Sequence, residues 1–91
     1  MDYDLNEKLK AEWTDQFVEA DTSRPELARF AGLVGRVTTV NWNSKCLVDF
    51  ADGGWYDIAP QFLKKVADQN AAKAKFDFTM NSNQALPVRQ G

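Results

Sequence analysis

Gly32-Leu33-Val34-Gly35-Arg36-Val37-Thr38-Thr39-Val40, then Cys46-Leu47-Val48-Asp49-Phe50, then Asp52-Gly53-Gly54-Trp55-Tyr56-Asp57-Ile58, is the stretch whose reading decides the fold. The first run is rich in β-branched residues, which suit a pleated, half-buried surface, and glycines punctuate its start. Val37 and Val40 stand three apart, which breaks strict alternation and predicts a bulge between them. Cys46, Val48 and Phe50 alternate with Leu47 and Asp49, the period of a strand with one face turned inward. Asn41-Trp42-Asn43-Ser44-Lys45 has the composition of a hairpin turn. Asp52-Gly53-Gly54 is a second tight turn, of the kind that hairpins favour. Trp55-Tyr56-Asp57-Ile58 then reads as a third strand.

Working outward toward the C-terminus, Ala59-Pro60-Gln61-Phe62 reads as a one-turn corner and Leu63-Lys64-Lys65-Val66 as a closing strand. A second reading of residues 60–74 is open: Phe62, Leu63, Val66 and Asn70 also fit helical spacing from Pro60, and Ala71, Ala72 and Ala74 are good helix formers. Beyond residue 68 the chain is rich in Asn, Gln, Ala and Lys, and its low apolar content predicts a flexible tail. Within it, Phe76-Asp77-Phe78-Thr79-Met80 alternates, the pattern of a strand able to join a sheet edge.

Toward the N-terminus, Gln16-Phe17-Val18-Glu19-Ala20 is a short strand by composition. Ser23-Arg24-Pro25-Glu26 matches a capping box with proline in the first turn. The loop it opens is expected to complete one helical turn, to bury Leu27 and Phe30, and to stop at Gly32. Leu5, Leu9 and Trp13 recur every four residues, the spacing of one helix face. Such a short helix is marginal unless it docks. It lies across an open end of the barrel, forms a dimerisation or partner seam, or is disordered.

Four or five short strands, with turns every eight to twelve residues, are the pattern of a small barrel or sandwich. The run Gly32-x-x-Gly35-x-Val37-x-x-Val40, Leu47-Val48-x-Phe50, Asp52-Gly53-Gly54-x-Tyr56-x-Ile58 and Pro60-x-x-Leu63 resembles the Src-homology-3-like barrel shared by KOW-type and Tudor-like domains. The resemblance covers residues 16–66. It implies a mainly β fold, a small five-stranded barrel with a short N-terminal helix and a flexible C-terminal tail. It implies ligand binding on an aromatic-lined groove, by peptide or nucleic acid, without catalysis. The expected organisation is an acidic helical extension over 1–13, the barrel over 14–67 and the tail over 68–91.

Charge is unevenly spread along the 91 residues: the first 21 carry a net −5, residues 22–66 carry +2, and the remainder +1. That profile disfavours a phosphate-driven binder, which needs a clustered positive face. KOW-type proteins that bind ribosomal RNA are usually more basic. The chain has no histidine, so catalytic triads and imidazole zinc sites are absent. Its one cysteine precludes an internal disulfide and fits a reducing compartment. Cys46 falls on the predicted inner face, where a structural thiol is expected. Asp49, Asp52 and Asp57 gather near one hairpin without the spacing of a calcium loop. Gly32 and Gly35 precede a strand, so they offer no helix N-terminus to a phosphate. No metal or cofactor is expected. The start of the chain, Met1-Asp2-Tyr3-Asp4, lacks the layout of a secretory signal, no apolar run is long enough to cross a bilayer, and the protein reads as cytoplasmic.

The remaining chemistry is aromatic. Candidate binding residues are Trp42, Trp55, Tyr56, Phe30 and Arg29, around a groove near the 23–31 loop. Adjacent on one strand, Trp55 and Tyr56 point to opposite faces; an indole here either recognises a partner or packs under the N-terminal helix. The leading expectation is a non-catalytic module that binds an unknown protein or peptide. The alternatives are a nucleic-acid-associated KOW-type barrel, using Arg29, Arg36, Lys45, Lys64 and Lys65, and an accessory subunit of an enzyme complex.

Overall fold

A computed structural model describes the backbone of residues 3–88 and the side chains of residues 3–82. Residues 1–2 of the expected extension and 89–91 of the expected tail lie outside it. The elements are α1 (Tyr3–Trp13), β1 (Phe17–Ala20), a 3-10 helix (Pro25–Phe30), β2 (Gly35–Val40), β3 (Cys46–Asp49), β4 (Trp55–Ile58), a 3-10 turn (Pro60–Phe62), β5 (Leu63–Lys65) and α2 (Gln69–Val88). The strands form one five-stranded antiparallel sheet in the order β4-β3-β2-β1-β5. β4 and β5 are its two edges and do not pair, so the sheet is open where a closed barrel was expected.

The decisive stretch folds as its pattern requires. β2 and β3 pair Val37 with Val48 and then slip register before Thr39 opposes Leu47, which is the bulge between Val37 and Val40. The extra residue lets both valines face inward, and both are buried. One core draws on every strand: Val18, Val37, Val40, Cys46, Val48, Ile58 and Leu63, joined by Phe50, Leu27, Phe30 and Trp13. Phe30 stacks on Phe50 with ring centroids 4.2 Å apart, and Tyr56 meets Phe30 edge-on at 4.9 Å. The expected anchors of the long loop are therefore in place.

Its expected capping box does not form. Asp21 Oδ1 accepts the Ser23 N–H at 3.1 Å and the Ser23 hydroxyl at 2.5 Å, so that hydroxyl is turned away from the helix. Glu26 instead pairs with Arg24 at 2.6 Å. The turn is a 3-10 helix without a side-chain cap, started by Pro25, whose fixed φ and missing N–H suit the first position. Gly32 follows at φ +77°, where an L side chain would be strained.

α1 docks by a face one residue away from the one its leucines suggested. At about 100° per residue, Asn6 lies within about 20° of the line through Trp13, and Leu5 about 80° from it. Accordingly Asn6 and Trp13 are buried, Leu9 packs on the core and Leu5 is exposed. Half of the buried amide is satisfied, its Nδ2 donating to the Asn41 carbonyl oxygen at 2.7 Å, while Oδ1 has no hydrogen-bond partner among the described residues.

Residues 69–88 correct the expected flexible tail: they form an α-helix, and the alternating Phe76–Met80 segment is part of it. Asp68 starts the helix, its Oδ1 accepting the Ala71 N–H at 3.0 Å. Ala72 and Phe76 then bury against Phe17, Val34 and Ala51 on the far side of β1, with Met80 packed beside them, while Phe78 is 72% exposed. Ala72, Phe76 and Met80 are four apart, so helical spacing is the period that packing selects. Gln69 ties the helix to the sheet: its Oε1 accepts the Phe17 N–H at 2.7 Å, and its Nε2 donates to the carbonyls of Phe17 at 2.9 Å and Val66 at 2.6 Å. Of the two readings of residues 60–74, the corner and strand hold through Lys65, and the helix begins only at Gln69.

Cys46 is completely buried, and burial, aided by Glu12, pushes its thiol from 9.0 up to about 11. The unfolded chain releases this proton near pH 9 and the folded chain holds it, so stability falls as pH rises from about 9 to 11, by at most about 3 kcal/mol. Chemical denaturation between pH 8 and 11 checks this. The expected outcome is an alkaline decline that is shallower in Cys46→Ala; equal slopes would contradict it.

Candidate functional site

Four of the five candidate side chains come together beside β4. The 3-10 helix Pro25–Phe30 lies along this edge strand, leaving a groove of about 290 Å³ lined by Glu26, Leu27, Arg29 and Phe30 on one side and by Trp55, Tyr56, Asp57 and Ile58 on the other. Leu27, Phe30 and Ile58 are core residues, so the floor is apolar. Phe30, expected as a contact residue, is 4% exposed and contributes as part of that floor. Trp55 stands at the rim, 66% exposed. The indole buried beneath α1 is that helix's own Trp13, with the Lys65 ammonium 4.9 Å from its ring.

The turn before β4 builds one wall. Gly53, at φ +90°, reverses the chain. Asp52 Oδ1 accepts the Gly54 N–H at 3.0 Å and its Oδ2 accepts the Tyr56 hydroxyl at 2.7 Å. Arg29 Nη2 donates to the Tyr56 oxygen at 3.3 Å, with the guanidinium 5.1 Å from both the Tyr56 and Phe30 ring centres. Partial desolvation raises the Asp52 carboxyl, but the hydrogen bonds from Tyr56 and Gly54 outweigh it and leave the group below its usual value. The hydrogen bond to Asp52 in turn raises the Tyr56 phenol. Tyr56 thus remains a donor, and the Arg29 cation is held beside two aromatic rings.

Trp42 is not part of this groove. It sits in the Asn41–Lys45 turn, at the end of β3 away from Trp55. There it is 62% exposed, with Tyr3 at 6.3 Å and the Lys10 ammonium 5.3 Å from its ring. Asn41 holds that turn, its Oδ1 accepting the N–H groups of Asn43 at 2.9 Å and Lys45 at 3.0 Å. A larger depression of about 390 Å³ lies between Asp21 and Lys64. Its one aromatic, Phe62, is already covered by the Arg24 guanidinium at 4.0 Å.

A second part of the site was missed by sequence reasoning. A neighbouring groove of about 270 Å³ shares Glu26, Leu27, Asp57 and Ile58 with the first and extends it past Ala59 to Phe62 and Lys45. The acidic residues Glu26 and Asp57 were visible as charges, but nothing in their spacing placed them across a groove from each other. Among the described residues, no group of three or more Cys, Asp or Glu side chains is placed to hold a metal ion, and no helix is long and apolar enough to cross a membrane. No family model, curated protein or solved structure matches the chain.

Proposed function

We propose that the chain is a non-catalytic interaction module of Src-homology-3-like barrel type, which holds a protein partner or peptide in the groove between the Pro25–Phe30 helix and β4. One observation carries this reading: a two-thirds exposed indole, Trp55, stands over an apolar floor beside a hydrogen-bonded Arg29–Tyr56 pair. Large aromatic and arginine side chains at the rim of a formed groove are the usual anchors of protein interfaces. The barrel assignment is supported by a core to which both edge strands contribute although they do not pair, as in a partly open sheet that curls on itself. The buried single thiol suits a reducing, cytoplasmic setting.

The nucleic-acid reading is less well supported, because several of its cations are already engaged. Arg36 pairs with Asp15 at 2.7 Å, Lys65 with Glu12 at 3.4 Å, and Arg29 lies on Tyr56. Phosphate binding needs such charges to be free and clustered.

Trp55→Ala is expected to keep the amide dispersion of the wild type and to weaken partner binding by about tenfold or more. Wild type, Trp55→Ala and Trp42→Ala serve as baits in the source lysate. A stoichiometric protein recovered with wild type and Trp42→Ala but lost with Trp55→Ala is the expected result. Recovery unaffected by Trp55→Ala would sink the reading, and collapsed dispersion would make that ring part of the core. Captured RNA or DNA whose log affinity falls linearly with log salt would establish the nucleic-acid alternative instead.

A further inference from the structure

We infer that the groove takes its partner as an extended strand added to the free edge of β4, with a Lys or Arg side chain where that strand passes between Glu26 and Asp57. This rests on the groove reading above and adds the mode and chemistry of binding. β4 is the outermost strand, and among the described residues the backbone of Trp55–Ile58 bonds to β3 and to no other segment. In an antiparallel strand every second residue directs its N–H and C=O away from the existing neighbour. Those groups await a ladder, and adding a strand is the way an exposed edge satisfies them.

The two grooves run along this edge as one channel, from Trp55 past Ala59 to Phe62. Glu26 and Asp57 line both halves, which places them at its centre, with Arg29 in one half and Lys45 in the other, neither of which forms an ion pair with those carboxylates among the described residues. Asp57 has no ion pair among the described residues, and the only cation on Glu26 is the neighbouring Arg24. Two carboxylates facing a channel call for a basic side chain there, and Trp55 offers a face for its alkyl stem or for an apolar neighbour. A second copy of this chain is a poorer occupant. Of its two free edges, β5 has three residues, two of them lysines, and lysine on a short edge strand guards against pairing, while β4 carries Asp57 and no basic side chain to set between the carboxylates.

The test uses the full chain and a displayed library of randomised heptapeptides. Enriched sequences are expected to alternate β-branched or aromatic residues and to carry Lys or Arg at one fixed position. A synthetic peptide of the enriched sequence should slow hydrogen exchange of the outward β4 amides about tenfold or more. N-methylation of its alternate amides should lower affinity by a similar factor, and Asp57→Lys should exchange the basic preference for an acidic one. Peptides that need Trp55 but ignore N-methylation and leave β4 unprotected would overturn strand addition while the groove reading stands. Enrichment of proline-rich sequences, or of none, would also overturn it; the Trp55→Ala capture experiment judges the groove independently. Concentration-dependent dimers with newly protected β4 and β5 amides would assign the edge to a second copy.

Discussion

Val48→Asp is expected to abolish the cooperative thermal transition of this protein. Val48 has no solvent exposure and sits at the centre of the core, paired with Val37 on β2 and Tyr56 on β4. A carboxylate there finds no cation within the apolar cluster, and burying it uncompensated costs several kcal/mol even after its pKa has risen. A domain of this size has a total stability of only about 5–10 kcal/mol, so the loss takes most or all of it. Leu47→Asp is the control. Leu47 is half-buried on the opposite face of β3, so the same charge one residue earlier should leave a melting transition. Circular dichroism melts of the two variants decide the matter. A cooperative transition in Val48→Asp, or equal damage in both, would mean that β3 does not present this face inward.

Gly35→Ala is expected to destabilise by about 1–3 kcal/mol, a large effect for one methyl group. Gly35 opens β2 with ordinary backbone geometry, so the cause is space and not conformation. A Cβ there would stand 2.5 Å from Val48 Cγ1 and 2.8 Å from Phe50 Cε1. Neither neighbour has room to retreat: both are fully buried, and Phe50 is stacked on Phe30. The backbone of β2 must therefore approach β3 more closely than any side chain allows. Val48→Ala removes the nearer obstacle. The double variant should accordingly be less damaged than the sum of the single ones, measured by urea denaturation. Strict additivity would show that the two positions do not meet.

What the two substitutions test was legible to different degrees. Alternation at Cys46, Val48 and Phe50 indicates which face is buried, because a strand has a period of two and water penalises the wrong register. The bulge between Val37 and Val40 follows from the same rule broken once. Gly35 was visible only as punctuation, since its neighbours across the sheet are 13 and 15 residues away in the chain. Phe76 and Met80 fit periods of two and four equally well. Burial against Phe17 and Val34 chose the helix and left Phe78 outside. Leu5 gave way to Asn6 because α1 docks by the face that carries Trp13, and a hydrogen bond to Asn41, distant in sequence, satisfies the Nδ2 of the polar residue buried there.

The candidate site divides in the same way. Arg29, Phe30, Trp55 and Tyr56 were identifiable as unusual aromatic and cationic side chains, and Trp42 equally so. Composition cannot separate them, since an exposed indole looks the same in any turn. Grouping four and excluding the fifth required knowing that the Pro25–Phe30 helix folds back onto β4.

Local patterning determined the strands, their turns and the inward face of each, because hydrophobic periodicity and turn chemistry act over a few neighbouring residues. Tertiary structure alone decided that the sheet stays open, that α2 covers the far side of β1, and that Glu26 and Asp57 line the same groove. These depend on contacts between segments dozens of residues apart, whose free energy is settled by packing and not by any stretch of sequence taken singly.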